Sequence, residues 1–133
     1  QKVIRKLLHE WFRNDLMGVP GDEDGGGLSS FVVFSSMGFY PVTPGDPVYT
    51  LGSPIFQRVT VNLGNGETFE IEARNASPEN KYIQSATLNG KALNTPWFPH
   101  EALNGGRLVL DMAAVFAVEV WPVPAALPDP GNE

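Results

Sequence analysis

Leu28-Ser29-Ser30-Phe31-Val32-Val33-Phe34-Ser35-Ser36-Met37-Gly38-Phe39-Tyr40-Pro41 is the stretch in which the periodicity of the chain changes. Residues 28–37 are apolar or small on every side, as in an element covered all round, and Gly38 is placed to stop a helix in the left-handed conformation. Phe31, Val32, Val33 and Phe34 are also good strand formers, so a buried strand is the competing reading; the length of the run and its small serines favour a buried helix. Past Pro41 the period becomes two. Ile55, Val59, Val61 and Leu63 alternate with Arg58, Thr60 and Asn62. Gly64-Asn65-Gly66 then turns the chain back through Phe69, Ile71 and Ala73, which predicts a β-hairpin. Further alternating runs at 82–88, closed by Asn89-Gly90, at 107–112 and at 116–121 predict an antiparallel sheet or sandwich with a polar outer face.

Upstream, Val3, Ile4, Leu7, Leu8, Trp11 and Phe12 recur at spacings of three and four and draw one apolar stripe on a helix over 2–13. Lys2, Arg5, Lys6, His9, Glu10 and Arg13 fill its polar side. So broad a stripe needs a large partner surface. Gly18-Val19-Pro20-Gly21 stops the helix and opens a loop over about 18–26. The last twelve residues hold four prolines and little apolar mass, which predicts a tail or strap. The fold class is therefore α+β and mainly β, with one or two N-terminal helices followed by an antiparallel β body.

Composition narrows the function classes. Nine basic residues against fifteen acidic ones, a formal charge of −6, with no basic run, argue against nucleic acid as a partner. No stretch approaches the roughly 18 apolar residues of a membrane span, and the N-terminus lacks a signal peptide's apolar core. With no cysteine, disulfide frameworks and thiolate metal sites are excluded. His9 and His100 stand at no spacing that suggests a metal or a triad.

The chemistry-bearing feature is Asp22-Glu23-Asp24, three consecutive acids set between Gly21 and Gly25-Gly26-Gly27. In an extended loop Asp22 and Asp24 would point one way and Glu23 the other, presenting two carboxylates able to hold a water or a hard cation. The alternative is a solvated turn in which Asp24 caps the next helix. An EF-hand is excluded because Val33 stands where the closing Glu belongs, and the glycine run lacks the Lys-Ser/Thr of a phosphate loop.

The run from Gly18 to Val42, Gly-Val-Pro-Gly-Asp-Glu-Asp-Gly-Gly-Gly-Leu-Ser-Ser-Phe-Val-Val-Phe-Ser-Ser-Met-Gly-Phe-Tyr-Pro-Val, resembles the signature of glycoside hydrolase family 92. The likeness continues through Leu51-Gly52-Ser53-Pro54-Ile55-Phe56, Tyr82 to Lys91, Pro96-Trp97 with His100, and Gly105-Gly106. That resemblance implies a calcium-dependent, inverting, exo-acting α-mannosidase, of the α-1,2 type, that is secreted or held in the periplasm or at the cell surface. It implies that 1–41 are the last helices and acidic loop of an (α/α)6 catalytic barrel, 42–121 a β domain and 122–133 a Pro-rich tail. Asp24 is then the general base and Asp22 its auxiliary, with the general acid and the calcium ligands unassigned here. Partners would be mannose-containing glycans and the rest of the barrel with its N-terminal domain. A chain without those parts would hydrolyse little and could self-associate through its helix stripe. The sequence departs from the family pattern at Gly27, Phe31 and Val32, where Gln, Trp and Tyr are usual. A non-catalytic sugar-binding or structural β module is the alternative; Tyr40 and Trp97-Phe98-Pro99-His100 supply aromatic faces for it.

Overall fold

The computed structural model describes residues 1–117. Two helices precede a β body, as the periodicities predict: α1 (Lys2–Glu10) and α2 (Gly27–Met37). Helix α1 stops three residues short of the expected 13. Beyond Trp11 the chain folds on itself. The Arg13 N–H donates to the Gly18 carbonyl at 2.9 Å, and the Asp15 carboxylate accepts the Met17 N–H at 2.9 Å, a local bond that competes with continued helix. The loop therefore begins near residue 11 rather than 18.

Helix α2 confirms the helical reading over the strand, but not the expectation that it is buried all round. Only Ser35 and Ser36 are buried, and Val33 is 55% exposed. Its last turn, Phe34 to Met37, packs on the β body and Phe31 meets Phe12 with centroids 5.8 Å apart, while Ser29, Ser30 and Val33 stay exposed.

At its C-terminus α2 ends on Gly38, whose φ of 96° lets its N–H reach the carbonyls of Phe34 at 3.0 Å and Ser35 at 3.2 Å. The next two residues are already strand. β1 (Phe39–Tyr40) pairs antiparallel with β2 (Val48–Leu51), and β2 with β7 (Trp97–Pro99), in a small sheet ordered β1-β2-β7. The sequence reading did not resolve this sheet, because strands of two to four residues carry too little periodicity.

The larger sheet contains β3 (Arg58–Asn62), β4 (Thr68–Arg74), β5 (Tyr82–Leu88), β6 (Lys91–Ala92) and β8 (Arg107–Ala113), in the order β3-β4-β8-β5-β6. The predicted hairpin is present as β3 and β4, with Val61 opposite Phe69 and Val59 opposite Ile71; Ile55 lies before it, exposed. One pairing departs from the all-antiparallel expectation. β8 enters between β4 and β5 after the chain has passed through β6, β7 and a short 3-10 helix (His100–Leu103), so it runs antiparallel to β5 but parallel to β4. A register shift between Ile83 and Ser85 breaks the alternation of β5, so that Ile83 and Ala86, three apart, both face inward. The run expected at 116–121 forms no strand at 116–117, and the rest of it, like the tail at 122–133, lies outside the described residues.

The core lies between the sheets. Phe69, Ile71 and Ala73 of β4 and Leu108, Leu110 and Met112 of β8 bury one face of the large sheet, and Phe98 of the small sheet stacks on Phe69 with centroids 5.6 Å apart. The outer face is polar, as expected. There Glu72 accepts hydrogen bonds from Arg74 and Arg107, which hold its carboxyl below the ordinary range.

Phe39, 3% exposed, joins helix to sheets: its ring stands edge-on to Phe34, Tyr49, Phe69 and Phe98 at centroid distances of 5.4, 5.1, 6.2 and 5.6 Å. Phe39 can reach all four only because Gly38 turns sharply beneath Pro54. A Cβ on Gly38 would lie 2.7 Å from Pro54 Cδ in a left-handed backbone. Gly38→Ala should therefore cost about 2–5 kcal/mol, from backbone strain plus overpacking. Chemical denaturation checks this; a loss below about 0.5 kcal/mol would show that the junction tolerates a side chain.

Candidate functional site

The acidic residues sit immediately before α2, on a loop that doubles back. Asp24, Gly25 and Gly26 are all left-handed, with φ of 56°, 65° and 97°. Glycine adopts this conformation at no steric cost, and aspartate is among the few other residues that tolerate it. The loop is thus not extended at Asp24, and the alternation expected of an extended segment does not describe it.

A different device separates the three carboxylates. The Glu23 side chain folds onto the start of α2, where its Oε1 accepts the Ser29 N–H at 3.0 Å. Its backbone carbonyl accepts the Leu28 N–H at 3.2 Å, and the Asp24 carbonyl accepts the Gly27 N–H at 3.4 Å. These bonds satisfy amides that a helix leaves unpaired in its first turn, at the end where its dipole favours negative charge. The capping acid is Glu23, not Asp24 as the solvated-turn alternative had it. Spacing did not reveal this, since the cap residue itself is Gly26 and the acid reaches in from before it.

Asp22 and Asp24 remain exposed, and among the described residues neither side chain takes part in a hydrogen bond or ion pair. Two free carboxylates flank one that is tied down. Such groups can accept a proton from water or orient a water by hydrogen bonding.

The two best-formed concavities among the described residues lie elsewhere. Of the two, the larger, about 510 Å³, lies between α1 and the segments around Ile55 and Lys81 and is lined by Lys2, Arg5, Lys6 and His9. The smaller, about 170 Å³, is an apolar recess bordered by Ile4, Phe31, Tyr40 and Leu51. Neither is lined by Asp22, Glu23 or Asp24. The larger one presents mainly cations, with Glu10 as its one carboxylate.

The resemblance implies calcium, which takes six to eight oxygens. Among the described residues no group of three His, Cys, Asp or Glu side chains is placed to hold an ion. The described residues therefore offer no ready-made carboxylate cluster for the cation.

The aromatics considered for sugar stacking form no exposed platform among the described residues. Phe98 is fully buried, Trp97 is half-buried with its Nε1 enclosed and unpartnered, and Tyr40 lies against Phe31 and Phe34 at 5.8 and 6.0 Å. His100 is exposed and bonds through Nδ1 to the Tyr49 hydroxyl at 2.8 Å, and it belongs to no group of three ligand-type side chains among the described residues. No helix among the described residues is long and apolar enough to cross a membrane.

Comparison with known proteins places the region that includes this loop in a family. The family model for the glycosyl hydrolase family 92 catalytic domain matches residues 1–114, which include the acidic loop and, among the described residues, both α-helices and all eight strands. The chain belongs to glycosyl hydrolase family 92. A secreted glycosidase of Arthroderma benhamiae, itself uncharacterised, is 42% identical over 105 residues, 76% of this chain and 14% of that protein. Among solved structures, a family GH92 inverting mannosidase from Bacteroides thetaiotaomicron is 38% identical with a TM-score of 0.78, over 86% of this chain and 16% of the other. A family GH92 α-mannosidase of the same organism, in complex with mannoimidazole, is 30% identical with a TM-score of 0.82, over 96% of this chain and 18% of the other. The chain thus spans between about a seventh and a fifth of the length of these relatives. The family 92 match also runs across the change from helix to strand at residues 37–42, so the loop and the β body belong to one family region.

Proposed function

We propose that this chain is the part of a larger α-mannosidase that supplies the base side of the catalytic centre. The observation that carries the reading is the pair of free carboxylates, Asp22 and Asp24, projecting beside the tethered Glu23 at the start of α2. Membership of family 92, with mannosidases among its structural relatives, supports a mannoside as substrate.

In an inverting hydrolysis one carboxylate deprotonates the attacking water while an acid some 6.5–9.5 Å away protonates the leaving oxygen on the opposite face of the sugar. Asp24 takes the water's proton. Asp22 accepts that water's second hydrogen and so aims its lone pair at the anomeric carbon. The acid comes from outside the described residues, as do the walls of the cleft. An exo-acting α-1,2-mannosidase on mannose-containing glycans is the substrate reading that follows from the family resemblance. Calcium would have to draw most of its oxygens from elsewhere in the parent, and no step is assigned to it here. Secretion is the corresponding location, and the naming of the Arthroderma relative supports it.

In the full-length parent, Asp24→Asn should lower kcat on an α-mannoside by about 10²–10⁴-fold, the range expected for loss of a general base. Asparagine also tolerates the left-handed backbone at this position, so the fold should be unchanged by circular dichroism. Undiminished turnover would move the base elsewhere. The 133-residue chain alone should show no turnover in the same assay.

The rest of the barrel is the partner proposed for the bare helix faces. Val3 and Trp11 of the α1 region are 67% and 58% exposed, and Val33 of α2 is 55% exposed. An apolar area of this kind rarely stays in contact with water. The isolated chain should therefore self-associate in light scattering at micromolar concentration, whereas a monodisperse monomer would contradict the need for a cover.

A further inference from the structure

We propose that Glu23 is a positioning residue whose hydrogen bond to the start of α2 sets where Asp22 and Asp24 project. The proposal rests on the reading of Asp22 and Asp24 as the base-side pair.

Three adjacent acids repel one another, and an untethered middle carboxylate would compete with its neighbours for the same water and the same cations. The structure removes it from that competition. Glu23 Oε1 is occupied by the Ser29 N–H at 3.0 Å, and its charge lies at the positive end of the α2 dipole. Because the Glu23 carbonyl also accepts the Leu28 N–H at 3.2 Å, this one residue grips the first turn of the helix through both side chain and backbone. Asp22 and Asp24, one residue on either side, are thereby held against the helix. The left-handed run at Asp24, Gly25 and Gly26, with φ of 56°, 65° and 97°, has no side-chain cap of its own to keep its shape. Without the Glu23 side chain only the backbone bonds to Gly27 and Leu28, at 3.4 and 3.2 Å, hold the loop, and a displacement of about 1 Å at a reacting group can cost 10²-fold in rate.

Glu23 itself makes no contact that chemistry requires, so its role depends on accepting a hydrogen bond rather than on carrying charge. Glutamine keeps that acceptor and alanine does not. In the full-length enzyme Glu23→Ala should therefore lower kcat by roughly 10- to 100-fold with KM little changed, while Glu23→Gln should stay within about threefold of the parent. Hydrogen exchange of the Ser29 amide should run roughly fivefold faster in Glu23→Ala and near the parental rate in Glu23→Gln. Measuring Asp24→Asn alongside separates the two readings. If Asp24→Asn remains active, the base assignment has failed, whatever Glu23 does. If Asp24→Asn is inactive and Glu23→Ala exchanges faster at Ser29 yet keeps its kcat, the tether exists but positions nothing, and the proposal is overturned. A Glu23→Gln variant as poor as Glu23→Ala would overturn it too, by showing that the charge acts directly.

Discussion

Edge-to-face packing of Phe39 against four other rings is the interaction on which the arrangement depends. Phe39 follows Gly38 directly, so the residue that terminates α2 and the residue that anchors it are neighbours in sequence. Through Phe34 the anchor holds the helix, through Tyr49 and Phe98 the small sheet, and through Phe69 the large sheet. Fully burying a side chain of this size is worth roughly 1.5–3 kcal/mol, and well-oriented aromatic pairs add to it. Because α2 is rigid, fixing its C-terminal end against the β body also fixes its N-terminal end. That end carries the acidic loop.

The loop is consequently a surface feature presented by an internal one. Its backbone is set by three left-handed residues and its middle acid is spent on the helix, which leaves Asp22 and Asp24 without partners among the described residues. The same helices that present the loop show apolar residues to solvent: α1 has no buried residue and α2 only two. The chain spans 14–18% of its relatives' length, and its exposed acidic pair and two partly bare helices are what the proposed reading as one wall of a larger site requires.

Where repetition was long enough to average over, the sequence was legible. Six apolar residues at helical spacing placed α1, and five-to-seven-residue alternations placed β3, β4, β5 and β8, because each has one face in the core. What escaped it depends on distant partners. The parallel pairing of β8 with β4 follows from where the chain re-enters the sheet, and the small sheet from strands too short to alternate. Helix α2 was read as covered because its composition is apolar all round, but composition says what a helix needs, not what lies beside it. At the site, Asp-Glu-Asp was recognisable as chemistry-bearing, whereas the division of labour within it was not. That division is made by the Ser29 amide, six residues away from Glu23 and brought near only by three left-handed residues.

The most direct test is a crystal structure of the full-length parent with mannoimidazole bound. The account predicts Asp22 and Asp24 facing the sugar's anomeric carbon across a water-sized gap, Glu23 still on the Ser29 amide, and Val3, Trp11 and Val33 buried by other helices. A sugar bound far from this loop, or a loop still open to solvent, would contradict it.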